Sequence, residues 1–259
     1  MGYEKTKYEV AVANRILEAV GLAAGVTISS GHASLRVPND PEKFVVKGRG
    51  YKNDWLSKMR PKDMIVCDLD GRKVEGPERA SQCMEVKMHS CVYKTYPDVQ
   101  SIVHVHPQFI VLASTLGMRL RPMGHGAGGN AGIEMVQHEL PLYPHARTVT
   151  TEEQGLQVAA MMEGYKAILL QGHGATTVGN SLEESVMNMV QLEEQARMNW
   201  FARCAYGPDY PYIPDALIDE FHDGVPTFEL PHFQVATPSG GHRPGGVWAY
   251  YTDLVTQKR

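Results

Sequence analysis

The run Val99-Gln-Ser-Ile-Val-His-Val-His-Pro107 restricts the chain more than any other stretch. Its Ile102-Val103-Val105 core is β-branched and apolar, which predicts a buried strand. Residues two apart on a strand point the same way, so His104 and His106 project together and Val103 and Val105 lie opposite, with Pro107 ending the ladder. Two imidazoles side by side at a strand end admit two readings. One is a divalent metal site, since neutral imidazole is a common metal ligand. The other is a pair of separately hydrogen-bonded histidines.

The rest of the chain is that of an ordinary globular protein. Its 259 residues, 43% hydrophobic and 21% charged, can bury a full core. A formal charge of -4 gives no electrostatic reason to expect nucleic acid or an anionic membrane as partner. The charged N-terminus has no apolar export segment and no long apolar run follows, so a cytoplasmic location is expected. The four cysteines, Cys67, Cys83, Cys91 and Cys204, lack CxxC spacing and read as reduced thiols.

In order, residues 4–25 read as an amphipathic helix closed by Gly25, with Val12, Ile16, Ala19 and Val20 on one face. Strands are expected from Ser34, over Phe44-Val45-Val46 and over residues 64–69, the last closed by an Asp70-Gly71 turn. Residues 78–96 read as a helix with Met84, Met88, Cys91, Val92 and Thr95 as its stripe. Glu85 and His89, at i and i+4, share an adjoining face. A short helix over 109–116, a glycine-rich loop over 124–130, a helix over 151–162 and a buried strand over 167–170 follow. Ser181 with Glu184 opens a helix running to about Tyr206. Residues 207–259 are rich in Pro, Tyr, Gly and His. They read as an ordered tail on a catalytic domain of residues 1–206, packed on that domain or on a neighbouring subunit. The class is α/β, a mixed and mainly antiparallel sheet between helical layers.

Three strand ends carry polar residues into glycine-rich loops: Lys47 with Arg49, His104 with His106, and His173 in Gln171-Gly172-His173-Gly174. Sheets of this class bind ligands at strand ends, so convergence is expected. His173 supplies a third imidazole, and three protein ligands with an open position make a catalytic arrangement rather than a structural one. Glu85 is the best-placed carboxylate for acid–base work.

Five features in this order resemble the class II aldolase/adducin superfamily from about Tyr8 to Tyr206. They are Ser30-Gly31-His32-Ala33-Ser34-Leu35-Arg36, Glu85-x-x-x-His89-x-x-x-Tyr93, His104-Val105-His106, Gly128-Gly129-Asn130 and Gln171-Gly172-His173-Gly174. The resemblance implies a three-layer α/β/α fold and one divalent metal per subunit, zinc or manganese with iron or cobalt as alternatives. His104, His106 and His173 would hold it, with Glu85 as catalytic acid/base and occasional ligand. It also implies a homotetramer with active sites between subunits, and places Arg36 among the substrate-binding positions.

The departures from that pattern bear on the substrate. Where sugar-phosphate members of the superfamily carry small neutral phosphate ligands, this chain has His32, then Lys47-Gly48-Arg49-Gly50, then Cys83-Met84. Lys47 and Arg49 suit a carboxylate, Arg as a planar fork and Lys as a point charge. Cys83 and Met84 make the pocket more apolar. This resembles the superfamily's decarboxylases of hydroxylated aromatic or pyridine dicarboxylates. There a metal draws onto a ring oxygen the charge left when CO₂ departs, and Glu85 or His125 protonates the carbon, which calls for a raised glutamate pKa. The rival readings are a metal-dependent aldolase for a non-phosphorylated hydroxy-keto acid and, more remotely, a non-catalytic adducin-like module.

Overall fold

The computed structural model describes residues 2–124, 131–223, 230–231 and 246–257. Eight strands form one sheet: β1 (His32–Val37), β2 (Asp40–Lys47), β3 (Met64–Asp68), β4 (Lys73–Glu75), β5 (Ser101–Val105), β6 (Leu142–Tyr143), β7 (Ala167–Leu170) and β8 (Gly174–Gly179). Their order is β4-β3-β2-β1-β5-β8-β7-β6, antiparallel throughout except for the β6–β7 pair. Alternation along each strand builds two cores. Val45, Val66, Val103, Val105 and Leu169 face α1 (Glu4–Ala19), α3 (Gln108–Thr115) and α6 (Leu182–Tyr206), while Phe44, Val46, Ile65, Ile102 and Ile168 face α2 (Val86–Thr95) and α5 (Glu152–Met161). The fold is therefore α/β with three layers, as the sequence implies. Short helices α4 (Ala131–Met135) and α7 (Asp215–Asp219) and the later α8 (Val247–Thr256) complete it.

Two helices are shorter than their residue patterns predict. Helix α1 stops at Ala19 because Gly21 takes a left-handed φ of 84° and the amides of Leu22 and Ala23 turn back to the Leu17 carbonyl. Helix α2 begins at Val86 rather than Glu78. Ser81 exchanges backbone hydrogen bonds with Arg49, and Lys73 Nζ donates to the carbonyls of Pro77, Glu78 and Ala80, so this segment runs beside the sheet. Met84 consequently leaves the apolar stripe and stands 62% exposed. Ser181 Oγ accepts the Glu184 amide as the sequence implies, and Thr151 and Gln154 form a further capping box at the start of α5. After Gly207, Tyr210 is buried and its hydroxyl bonds Asn199, while Trp248, Tyr251 and Val255 of α8 pack on the α1 core. No helix among the described residues is long and apolar enough to cross a membrane.

Candidate active site

The start of β1, the ends of β2 and β5 and the turn between β7 and β8 meet at one edge of the sheet. Register does this: β1 runs antiparallel to both β2 and β5, with His32 directly opposite His104. His104 lies in β5 and His106 one residue beyond the adjacent Val105. Strand alternation brings their Nε2 atoms to 3.0 Å. His173 sits on the tight β7–β8 turn, where Gly172 has φ 62°, and its Nε2 is 3.0 Å from that of His106. Gly174 is needed for close approach, since a Cβ there would meet the Val105 carbonyl at 2.3 Å and His106 Cα at 3.2 Å. Gly31, at φ 99°, is pressed as tightly on the other flank, against Val105 and the His104 carbonyl. Glu85 holds the N-cap position of α2 and reaches His104 Nε2 at 2.8 Å and His173 Nε2 at 3.4 Å.

This donor set fits a divalent cation. One ligand atom from each of Glu85, His104, His106 and His173 lies within 4.8 Å of all the others. His104 Nδ1 is 2.9 Å from the Ala175 carbonyl, which can only accept. Nδ1 therefore carries a proton, which leaves Nε2 to face the cluster as the ligand atom once a cation is bound. Three imidazoles as ligands, with the Glu85 carboxylate and a cavity beside them, suit an open site rather than a closed structural one.

The electrostatics follow from burial and mutual proximity. Burial first, then His104 and His173, holds His106 down to about 3. Burial likewise takes His89 to about 3 and His32 well below its ordinary value, with neighbouring imidazoles adding to it. His173 moves upward through its hydrogen bond to Glu85. Burial alone would raise Glu85, but His104 and His173 outweigh it, and its pKa falls well below the usual carboxylate range. The raised glutamate pKa expected of a half-apolar pocket is thus corrected. Glu85 is an ionised base in the free site, because two imidazoles stand at hydrogen-bond distance from it.

Lys47, Arg49, His32, Cys83, Met84, Glu85, His106 and His173 line one cavity of about 190 Å³, together with Ser29, Ser30, Gly31 and Thr148. Lys47 is nearly buried, its Nζ donates to the Ser29 carbonyl at 2.9 Å, and burial lowers its pKa to about 8 against an opposing pull from Asp54. The Arg49 backbone is fixed by Ser81, whereas its guanidinium has no ion-pair or hydrogen-bond partner among the described residues. Arg36 is not brought to this cavity. It lies toward the opposite end of β1, stacks on Tyr93, and donates to the carbonyls of Val99, Pro41, Tyr93 and Tyr96. Its expected substrate-binding role is corrected, since its donors are already spent inside the fold. His125 lies outside the described residues. The sequence reading missed Thr148 and the pairing of His32 with His89, because neither the loop path nor the β1–β5 register is written in residue spacing.

The family signature described as Class II Aldolase and Adducin N-terminal domain matches residues 8–200. The chain belongs to that family. It is 30% identical over 233 residues to 3,4-dihydroxyphthalate decarboxylase of Terrabacter sp. (strain DBF63), covering 86% of this chain and 95% of that protein. It is also 30% identical to L-ribulose-5-phosphate 4-epimerase UlaF of Salmonella paratyphi A (strain ATCC 9150 / SARB42), over 84% of this chain and 93% of the relative. L-Fuculose 1-phosphate aldolase from Glaciozyma antarctica PI12 shares the fold, with a TM-score of 0.71, 21% identity and coverage of 97% and 88%. The class II aldolase family depends on divalent metals, and this member is an enzyme of the lyase kind.

Proposed function

We propose that the protein is a metal-dependent decarboxylase of a hydroxylated aromatic dicarboxylate, with 3,4-dihydroxyphthalate as the first substrate to test. The observation that carries this reading is the pairing, in one small cavity, of a His/Glu cluster with Lys47 and an Arg49 guanidinium that has no partner among the described residues. Relatives named as 3,4-dihydroxyphthalate decarboxylases support it. His104, His106 and His173 would hold zinc or manganese, with Glu85 touching the metal only before substrate enters. The metal, when bound, supplies Lewis-acid stabilisation of negative charge on a substrate oxygen. Arg49 grips one carboxylate bidentately and Lys47 adds a second positive charge. Glu85, ionised in the free site, accepts the ring hydroxyl proton. It returns that proton to the ring carbon as the C–CO₂ bond breaks and its electron pair stays on the ring, and the phenolate product then takes a proton from solvent. His125 is the alternative donor at the carbon. A homotetramer with sites between subunits and a tail over residues 207–259 closing them is part of the same proposal.

The test is metal-loaded protein incubated with 3,4-dihydroxyphthalate, with CO₂ and dihydroxybenzoate measured in equal amounts. Pyruvate release from a hydroxy-keto acid without CO₂ release would favour the aldolase reading, which the same two cations also suit. Turnover of L-ribulose 5-phosphate alone would sink both.

A further inference from the structure

Behind the cavity wall a chain of side chains runs into the core. His32 Nδ1 lies 2.7 Å from His89 Nε2, His89 Nδ1 lies 2.7 Å from Ser34 Oγ, and Ser34 Oγ lies 2.8 Å from the Tyr93 hydroxyl. His89, Ser34 and Tyr93 are buried, and the Phe44 ring stacks on His89 and packs on Tyr93. His32 lines the cavity, and its Nε2 has no protein partner among the described residues. We propose that Tyr93, Ser34 and His89 lock neutral His32 in the tautomer that presents Nε2–H to the cavity, making it a fixed donor to an anionic substrate oxygen. The nature of that anion rests on the decarboxylase reading; the lock itself does not.

Each link carries one proton, so the chain can point only one way at a time. Pointing outward, Tyr93 donates to Ser34, Ser34 to His89 Nδ1 and His89 Nε2–H to His32 Nδ1, which leaves the His32 proton on Nε2. Pointing inward, Tyr93 must donate to the Gln100 carbonyl at 3.4 Å, a long bond to an oxygen that already accepts the Arg36 amide at 2.8 Å. The outward direction also lets the more acidic phenol start the chain and an imidazole nitrogen, the best acceptor, receive the serine proton. A histidine fixed this way donates to an anion while uncharged, beside two groups that supply charge.

The experiment is long-range proton–nitrogen correlation on zinc-loaded protein labelled at histidine, with phthalate affinity measured in parallel as a non-reacting dianion. The expected spectrum has His32 protonated at Nε2 and bare at Nδ1. Ser34→Ala should mix or reverse that tautomer and weaken phthalate binding about tenfold, and Ser34→Thr, which keeps the hydroxyl, should restore both. Wild-type protein with its His32 proton on Nδ1 overturns the proposal, as does Ser34→Ala with tautomer and affinity unchanged. The wild-type spectrum decides alone if Ser34→Ala does not fold. A correct tautomer in a protein that releases no CO₂ would retire the decarboxylase reading and leave the lock standing.

Discussion

Strand β1 ends in two very different treatments of a buried basic group. At the Arg36 end a guanidinium is stacked on Tyr93 and closed off by four carbonyls. At the other end Lys47, on the neighbouring strand, has one carbonyl, and the guanidinium of Arg49 just beyond it has no partner among the described residues. A buried cation with nearly all its donors taken by main-chain carbonyls is bound into the fold, and removing it would strand those carbonyls. Holding a cation at a cavity with donors to spare leaves desolvation to be offset by a ligand. Charge and burial alone do not separate the two; the count of satisfied donors does.

The sharpest way to break this comparison is to empty the histidine cluster between the two ends. His106→Ala should lose bound metal, measured by elemental analysis, and at least about 10³-fold in turnover, the several kcal/mol a Lewis acid supplies. Retention of both would remove the cluster from the mechanism. Arg49→Met should raise KM about 10–100-fold with kcat little changed, as loss of a charge-assisted carboxylate contact predicts. Arg36→Met should do the reverse: about 3 kcal/mol of stability lost through unpaired carbonyls, a fall of about 5–10 °C in Tm, with metal content and KM near wild type. An Arg36→Met protein with native Tm but a raised KM would invert the assignment of the two ends.

The smallest effect concerns pH. Lys47, lowered to about 8 by burial, is charged below that value and neutral above it. KM for a carboxylate should therefore rise a few-fold as pH climbs through about 8, and Lys47→Arg should move that rise out of range. Stability has the opposite sign. Between about 8 and its unfolded value the unfolded chain holds the extra proton, so the burial penalty of Lys47 is full below about 8 and is relieved as pH rises. Urea midpoints at several pH values would read it.

The parts of the site set by local periodicity were legible. The alternation that aims His104 and His106 together, the turn that carries His173, and the cap at Ser181 all follow from neighbouring residues. What depended on distant pairing was not. Glu85 read as a mid-helix residue because nothing in residues 77–83 reveals that Ser81 pairs with Arg49. Arg36 was grouped with the site because a motif gives order but not which end of a strand a side chain serves. His89 read as a helix-face neighbour of Glu85, and its link to His32 exists only once β1 lies against β5.

Gly31 and Gly174 leave no room for a Cβ on either side of the β5 end. The spacing of the imidazoles is therefore inherited from how closely three stretches of main chain touch, not from the cavity's lining. A designer seeking a different acid could thus randomise Cys83, Met84 and Thr148, keep both glycines, and reshape what enters without retuning the ligand set.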